Sequence, residues 1–198
     1  MLSHSHGDAI DPAHFPLLVS LDQTKAYLGI AHMGEDSLIT ELLGAAIQRV
    51  EQISGCALIE RGFETRWRTW PLSLTRGGVA LPFAPVRALN SVSIHQDGTY
   101  DTDLTHSFYI CGGGICLTDN AELPALEGGQ DIRLTYVAGL VAPVQDEASI
   151  ALPADLRQAI LSLCKHSYTL RSMGACTESA PVPSDVLAIL QARRGVRL

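Results

Sequence analysis

The sequence predicts an α+β fold, a small helical bundle with an inserted antiparallel β domain and a C-terminal tail helix. Apolar residues recur with a helical period over residues 36–55 and again after Pro153. The stretch between these two helices instead alternates apolar and polar residues between glycine and proline clusters. The chain has 198 residues, 46% of them hydrophobic, which is enough for one compact domain with an insertion.

The changes of pattern along the chain define the expected domain boundaries. We expect a flexible arm over residues 1–16, a helical core from residues 17–58 and 150–174, a β insertion over residues 59–141, and a spacer with a docking segment over residues 175–198. No apolar run approaches the roughly 18 residues of a membrane span, and the N-terminus does not resemble a secretory signal. The expected place of synthesis and assembly is therefore the cytoplasm.

The N-terminal arm contains three histidines and two aspartates. Such residues could bind a metal, but the sequence predicts no rigid element that would hold the ligands together. We therefore expect a polar tail with no metal site, its titratable residues being His4, His6, Asp8, Asp11 and His14.

Two helices are expected before the β insertion. Ser20 and Gln23 have the spacing of a capping box, so a short helix should begin after Ser20 and end at Gly29. A long helix should follow, with Asp36 as its N-cap and Gly55 as its end. Its apolar face consists of Ile39, Leu43, Ala46, Val50 and Ile53.

The β insertion should contain five to seven short strands in a small antiparallel sheet or barrel. Phe63, Thr65 and Trp67 alternate with polar residues, as in a strand with one buried face. Further strands are expected at Val92–Ile94 before the Asp97-Gly98 turn, at Phe108–Cys111 and Ile115–Leu117 around three glycines, and at Ile132–Tyr136.

The chain has five cysteines, an odd number, and no Cys-x-x-Cys pair. Cys111 and Cys116 are the closest in sequence and flank the glycine turn. In a cytoplasmic protein we expect both to be reduced thiols, and the ligand spacing of a structural zinc site is missing.

A second long helix should begin at Pro153 and end at Gly174, with Leu156, Ile160, Leu163 and Leu170 on one face. The stretch ACTESAPVP is then an extended spacer. Ser184 should cap a last short helix that is followed by RRGVRL.

The sequence contains no catalytic motif that we recognise. Cys164 and His166 are two apart on a helix and cannot face each other, so Cys164 is interpreted as a core residue. Asp101 and Asp103 are interpreted as a solvated loop. Trp67 and Trp70, near Arg66 and Arg68, could stack on bases, but a core residue and a rim residue are the simpler interpretation. We expect no enzyme activity, no metal and no cofactor.

The net charge of −7 disfavours tight non-specific binding of nucleic acid. Neither long helix has the basic surface of a recognition helix. A small DNA-binding regulator, or an enzyme with no recognisable motif, remains the alternative to a structural role.

The order of motifs resembles the head–tail connector, or adaptor, proteins of tailed bacteriophages and phage-like gene transfer agents. The resemblance covers residues 20–198 and rests on LDQTKAYLGI, DSLITELLGAAIQRVEQISG, LPFAPVRALNSV, YVAG, LPADLRQAILSL, Arg171 and the basic tail. It implies a structural protein of the virion neck that forms a dodecameric ring. That ring would bind the portal protein and a tail-side stopper or tail-completion protein, and DNA would pass through its channel without specific binding.

The C-terminal segment, residues 182–198, is the expected portal-docking element. The preceding proline-rich spacer should hold it away from the body, and a ten-residue helix is marginal alone in water. We therefore expect it to fold against the portal through an apolar face and an arginine cluster. The expected interface residues are Val186, Leu187, Ile189, Leu190, Arg193, Arg194, Arg197 and Leu198.

Overall fold

The computed structural model describes residues 4–96, 99–143, 151–172 and 181–194, and the side chains of residues 4–6, 100, 101 and 172 are outside this description. Helices and antiparallel sheets are both present, so the predicted α+β class is confirmed. The chain divides into two compact units. We call Met1–Ala9 with Glu60–Gly139 the β unit, and Ile10–Ile59 with Leu140–Leu198 the helical unit.

The helical unit contains five α-helices within the described residues. They are α1 (Phe15–Leu18), α2 (Leu21–Leu28), α3 (Asp36–Ser54), α4 (Ala154–Ser172) and α5 (Ser184–Arg193). The capping box is confirmed, because the Ser20 hydroxyl accepts from the Gln23 N–H at 3.1 Å and the Gln23 side chain accepts from the Ser20 N–H at 3.3 Å. Gly29 and Gly55 end α2 and α3 in the left-handed conformation, as predicted.

The core of the helical unit lies between α3, α4 and α5. Leu43, Ala46 and Val50 of the predicted α3 face are buried there, and Ile53 packs at its border. The sequence pattern missed Ile47, which is fully buried in the same core. The other helices contribute Phe15, Leu18, Leu156, Ala159, Ile160, Leu163, Cys164, Val186 and Leu190.

Two helices begin differently from the prediction. Asp36 is the first residue of α3, and its carboxylate accepts from the Lys25 ammonium at 2.6 Å instead of capping the helix. Ser184 is likewise the first residue of α5, where Pro183 is the N-cap and no side chain caps the free N–H groups. Each of these helices therefore begins one residue earlier than predicted, with the expected N-cap residue as its first helical residue. Gly174, the expected end of α4, lies outside the described residues.

The β unit contains eight strands within the described residues. They are β1 (His4–Gly7), β2 (Arg61–Trp67), β3 (Val79–Ala80), β4 (Val86–Gln96), β5 (Thr99–Asp103), β6 (Phe108–Cys111), β7 (Gly114–Leu117) and β8 (Gln130–Ala138). They form two antiparallel sheets, ordered β1-β2-β8-β4-β5 and β3-β7-β6. The insertion was expected to form a single sheet or barrel, which is wrong. The Asp97-Gly98 turn lies outside the described residues.

The larger sheet has one apolar face and one polar face, as the alternation predicts. Phe63, Thr65 and Trp67 of β2 are buried and pair with Tyr136, Leu134 and Ile132 of β8. The Phe63 ring stacks on the rings of Phe83 and Tyr136, with centroids 4.6 and 5.6 Å away. On the polar face, Glu64 lies opposite Thr135 and Arg66 lies opposite Arg133.

The expected flexible arm is wrong for much of residues 4–16. Residues His4–Gly7 pair with β2, with His6 opposite Glu64 and Gly7 opposite Phe63. Pro12–His14 then forms a 3-10 helix, capped by the Asp11 carboxylate, and Phe15 begins α1. Strand β1 is held by backbone hydrogen bonds to β2. Its sequence, HSHG, has no alternation of apolar and polar residues, so the strand could not be recognised from the sequence.

The expectation of reduced thiols is wrong for one pair of cysteines. Cys111 at the end of β6 and Cys116 in β7 form a disulfide across the hairpin, with their Cα atoms 5.8 Å apart. The expectation of reduced thiols rested on the reducing cytoplasm and took no account of the strand pairing, which brings the two side chains together. Cys56 and Cys164 are free thiols.

Candidate docking surfaces

Helix α5, the predicted docking element, packs on the core of its own unit. Val186 and Leu190, four residues apart on one face, are 1% and 0% exposed and belong to the core of the helical unit. The prediction that this helix is held away from the body is therefore wrong. The apolar spacing that suggested a partner is satisfied inside the chain.

Arg193 at the end of α5 also has a partner within the chain. Its guanidinium donates two hydrogen bonds of 2.7 Å to the two carboxylate oxygens of Asp155, in the first turn of α4. This fork-to-fork pair holds the pKa of Asp155 below its ordinary value, with further help from the α4 backbone N–H groups. Asp155 was not predicted as a partner of Arg193, although an acidic residue in a first helical turn is a typical partner for a basic residue.

Three of the predicted docking residues remain at the surface of α5. Leu187 and Ile189 are half-buried, and Arg194 is exposed just after the last helical turn. Together we call Leu187, Ile189 and Arg194 the outer α5 surface. Arg197 and Leu198, also predicted for this interface, lie outside the described residues.

A second candidate surface lies at the edge of the smaller sheet. Strand β6 is an outer strand, and it exposes 51% of Tyr109 and 39% of Ile110. Consecutive strand residues point to opposite faces, so this edge presents an apolar side chain on each side. Exposed apolar groups at an open sheet edge are typical of sites that meet another chain.

A third candidate is a groove of about 600 Å³ on the larger sheet of the β unit. It is lined by Asp8, Glu64, Arg66, Asn90 and Thr135, together with Gly62, Phe63 and Tyr136. Glu64 and Arg66 form an ion pair with each other within it. The groove is thus open and polar, with its arginine already neutralised by a carboxylate.

Cys164 has the structural role expected from the sequence, whereas the interpretation of Asp101 and Asp103 as a loop is wrong, because both lie in strand β5. Cys164 is fully buried in the helical core, and burial raises the pKa of its thiol to about 11, so it stays protonated at neutral pH. The Asp103 carboxylate accepts from the hydroxyl and the backbone N–H of Thr105, and these hydrogen bonds lower its pKa. The side chain of Asp101 is outside the described residues.

The two tryptophans do not form a stacking platform. Trp67 is only 3% exposed in the core of the β unit. The Trp70 indole donates to the Pro124 carbonyl at 2.9 Å and stacks on Phe108 with a centroid distance of 6.1 Å. In the part of the chain that the structure describes, no cluster of His, Cys, Asp or Glu could hold a metal ion. Among the helices described, none is long and apolar enough to cross a membrane.

Three solved structures resemble the chain over its whole length. One is from the virion of a native gene transfer agent particle, with a TM-score of 0.73, 24% identity, and coverage of 100% of this chain and 97% of that one. A second, from the neck of an empty particle treated with C6 symmetry, has the same values. A third, from the neck of the native particle treated with C12 symmetry, has a TM-score of 0.69, 25% identity and the same coverage.

The chain has the fold of a gene transfer agent neck protein. The resemblance to head–tail connectors of phage-like particles, stated from the sequence motifs, is thereby confirmed at the level of the fold. No protein-family model and no curated protein sequence matches the chain. The shared neck-protein fold includes both units, because the likeness extends over the full chain and not over one of them.

Proposed function

We propose that the chain is a structural adaptor in the neck of a phage or phage-like particle of the gene transfer agent type. The observation that carries the proposal is a full-length fold likeness to chains of such particles, two of them from necks. The described residues also support it, because Cys164, Asp103 and Trp70, which the sequence singled out, are each engaged within the fold. The function is then assembly and not chemistry.

The adaptor works as a closed ring of twelve copies around a DNA channel. The symmetries of the two neck structures, C6 and C12, support a ring whose copy number is a multiple of six. A cyclic ring uses two different surfaces on each copy, one for each neighbour. The chain is assembled in the cytoplasm and occupies the particle neck, between the portal protein and a tail-side stopper or tail-completion protein.

The outer α5 surface and the residues after it dock on the portal. Val186 and Leu190 anchor the helix in its own core, and the pair Arg193–Asp155 fixes its last turn. Leu187 and Ile189, on either side of the buried face, are partly exposed, and Arg194 is exposed after the last turn, so all three are presented by a rigid element, which lowers the entropic cost of binding. Arg197 and Leu198 extend the same interface along the C-terminal tail.

DNA passes through the ring without being retained. Each phosphate contact by a basic side chain would add affinity that depends on salt, and the net charge of −7 keeps that contribution small. A DNA-binding regulator would need the opposite balance of charge.

The docking surface is tested by co-purification with the portal ring of the same particle. Leu187→Ser with Arg194→Glu should abolish co-purification while the free chain keeps its circular dichroism spectrum and loses no more than a few degrees of melting temperature. The matched control is Lys165→Glu, which changes one exposed charge on α4 of the same unit and should leave docking intact. Normal docking by the double variant would overturn the assignment of this surface.

The alternative of a DNA-binding regulator is tested by fluorescence anisotropy with duplex DNA at physiological salt. The adaptor assignment predicts no binding at micromolar protein. Micromolar binding that is lost when arginines of the body are replaced would favour the regulator instead.

A further inference from the structure

The disulfide of the β6–β7 hairpin joins residues that the hairpin already holds together. Cys111 pairs with Gly114 and Cys116 pairs with Tyr109, so the two cysteines are diagonal neighbours on one face of the ladder. Their Cα separation of 5.8 Å is within the range that a disulfide can bridge. The thiols therefore meet without any rearrangement of the strands.

The turn between the two strands favours this geometry independently of the bond. Gly112 and Gly113 have φ of +50° and +85°, which is the left-handed pair of a tight two-residue hairpin turn. A hairpin of this type sets the register of its strands by itself. Breaking the bond thus leaves two thiols side by side and does not separate the cysteines.

The two sulfur atoms differ in access. Cys116 is 8% exposed and lies under the Gly77-Gly78 turn, whereas Cys111 is half-exposed beside the glycine turn. A Cβ at Gly78 would overlap the Cys116 sulfur and lie 3.1 Å from that of Cys111, so the turn packs directly on the bond. A reagent from solvent would reach Cys111 first.

We propose that Cys111 and Cys116 form a redox-dependent clip, open as two thiols in a reducing compartment and closed as a disulfide in an oxidising one. The bond fastens β6 to β7 under the Gly77-Gly78 turn and thereby orders the edge that exposes Tyr109 and Ile110. A cytoplasm keeps thiols reduced, whereas the exterior does not. Only the timing, in which the bond forms after assembly and before the particle is released, rests on the proposed function.

The oxidant is a low-molecular-weight disulfide such as oxidised glutathione. The Cys111 thiolate attacks one sulfur of it, forms a mixed disulfide and releases one glutathione thiolate, which takes up the proton that Cys111 lost. The Cys116 thiolate then attacks the Cys111 sulfur and displaces the second glutathione. In total two protein thiols are oxidised by two electrons, one glutathione disulfide is reduced, and two glutathione thiols leave with the two protons.

The clip is tested first on the purified full-length chain, reduced or treated with oxidised glutathione. No Lys or Arg separates Arg87 from Arg133, so trypsin leaves both cysteines on one peptide. After denaturing alkylation, the oxidised sample should give this peptide unalkylated and lighter by two hydrogen atoms. Hydrogen exchange at residues 109–116 should slow by about tenfold on oxidation, while exchange in α3 stays unchanged.

Matched variants separate the clip from a general redox effect. Cys111→Ser should remove the response of the hairpin to oxidant, and Cys56→Ser, a free thiol in the helical unit, should retain it. Equal exchange of the wild-type hairpin in both redox states, or failure of the two cysteines to pair, would overturn the clip.

The stage of closure is tested by blocking thiols in intact cells and, separately, in released particles. Both cysteines should be alkylated in cells and bonded in particles. Free thiols in released particles would contradict the clip's proposed timing. Absence of the chain from particles would instead contradict the proposed function, and the result on the purified chain would stand apart from it.

Discussion

Arg193 and Asp155 connect the end of one helix to the beginning of another. The guanidinium and carboxylate planes meet in two hydrogen bonds of 2.7 Å, but the two side chains are 41% and 38% exposed. Solvent therefore screens much of the attraction, and such surface pairs contribute about 0.5 to 1 kcal/mol. The pair orients α5 more than it stabilises the fold.

The replacement Arg193→Gln should lower the free energy of unfolding by about 0.5 to 1 kcal/mol at pH 7. The folded pKa of Asp155 is lowered, so the pair contributes fully above the unfolded carboxyl value of 3.8 and its contribution is lost as pH falls through the still lower folded pKa. Urea unfolding of the wild type and the variant should therefore differ at pH 7, and the difference should shrink below pH 3.8 and vanish once pH is below the lowered pKa of Asp155.

Arg194→Gln is the matched control, since this neighbouring arginine is exposed and Asp155 is already paired with Arg193. It should change stability by less than about 0.5 kcal/mol at either pH. An equal loss at pH 7 and at pH 3 would show that Arg193 acts through packing and not through the Asp155 carboxylate.

At the scale of elements, α5 belongs to the core of the helical unit. The sequence indicated a helix with an apolar face, and the structure places two residues of that face among the side chains of the core. Removing residues 182–198 should therefore lower the melting temperature as well as weaken docking. For a segment held away from the body, the melting temperature would stay nearly unchanged. Point replacements are needed to separate the two effects.

Leu190→Ala should destabilise the chain by about 2 to 5 kcal/mol, because a fully buried leucine leaves a cavity when it is truncated. Denaturant unfolding followed by circular dichroism measures this. Leu187→Ala, at a half-buried position of the same helix, is the control and should cost about 1 kcal/mol or less. Comparable losses for both variants would mean that Leu190 is not more buried than Leu187 in solution.

The smaller sheet depends on a close approach between β3 and β7. A Cβ at Gly114 would overlap the carbonyl of Val79, its neighbour in the sheet. Gly114→Ala should therefore displace β3 and destabilise the chain by about 2 kcal/mol or more. Gly128→Ala is the control, with open space around the added methyl group, and thermal melting of the two variants should differ clearly.

Helix ends and strands that depend on neighbouring residues could be predicted from the sequence, whereas pairings between distant residues could not. Ser20 with Gln23, Gly29 and Gly55 act as predicted because capping depends on residues close in the chain. The pairing of His4–Gly7 with β2 and of Arg193 with Asp155 joins residues far apart in sequence. Neither leaves a periodic pattern, so the ordered arm and the packed α5 were not predicted.

The molecule as a whole resembles chains of gene transfer agent particles over its full length. Both units share that likeness, so the β unit is part of the shared fold and not an unrelated insertion. The net charge of −7 agrees with the proposal that DNA passes through the ring without being retained.

The most direct test is mass photometry of the full-length chain mixed with the portal ring of the same particle. We expect the portal peak to gain the mass of twelve chains, and Leu187→Ser with Arg194→Glu to prevent the gain. A stable closed dimer of the chain, unchanged by an excess of portal, would contradict the claim that it is a ring-forming adaptor of the neck.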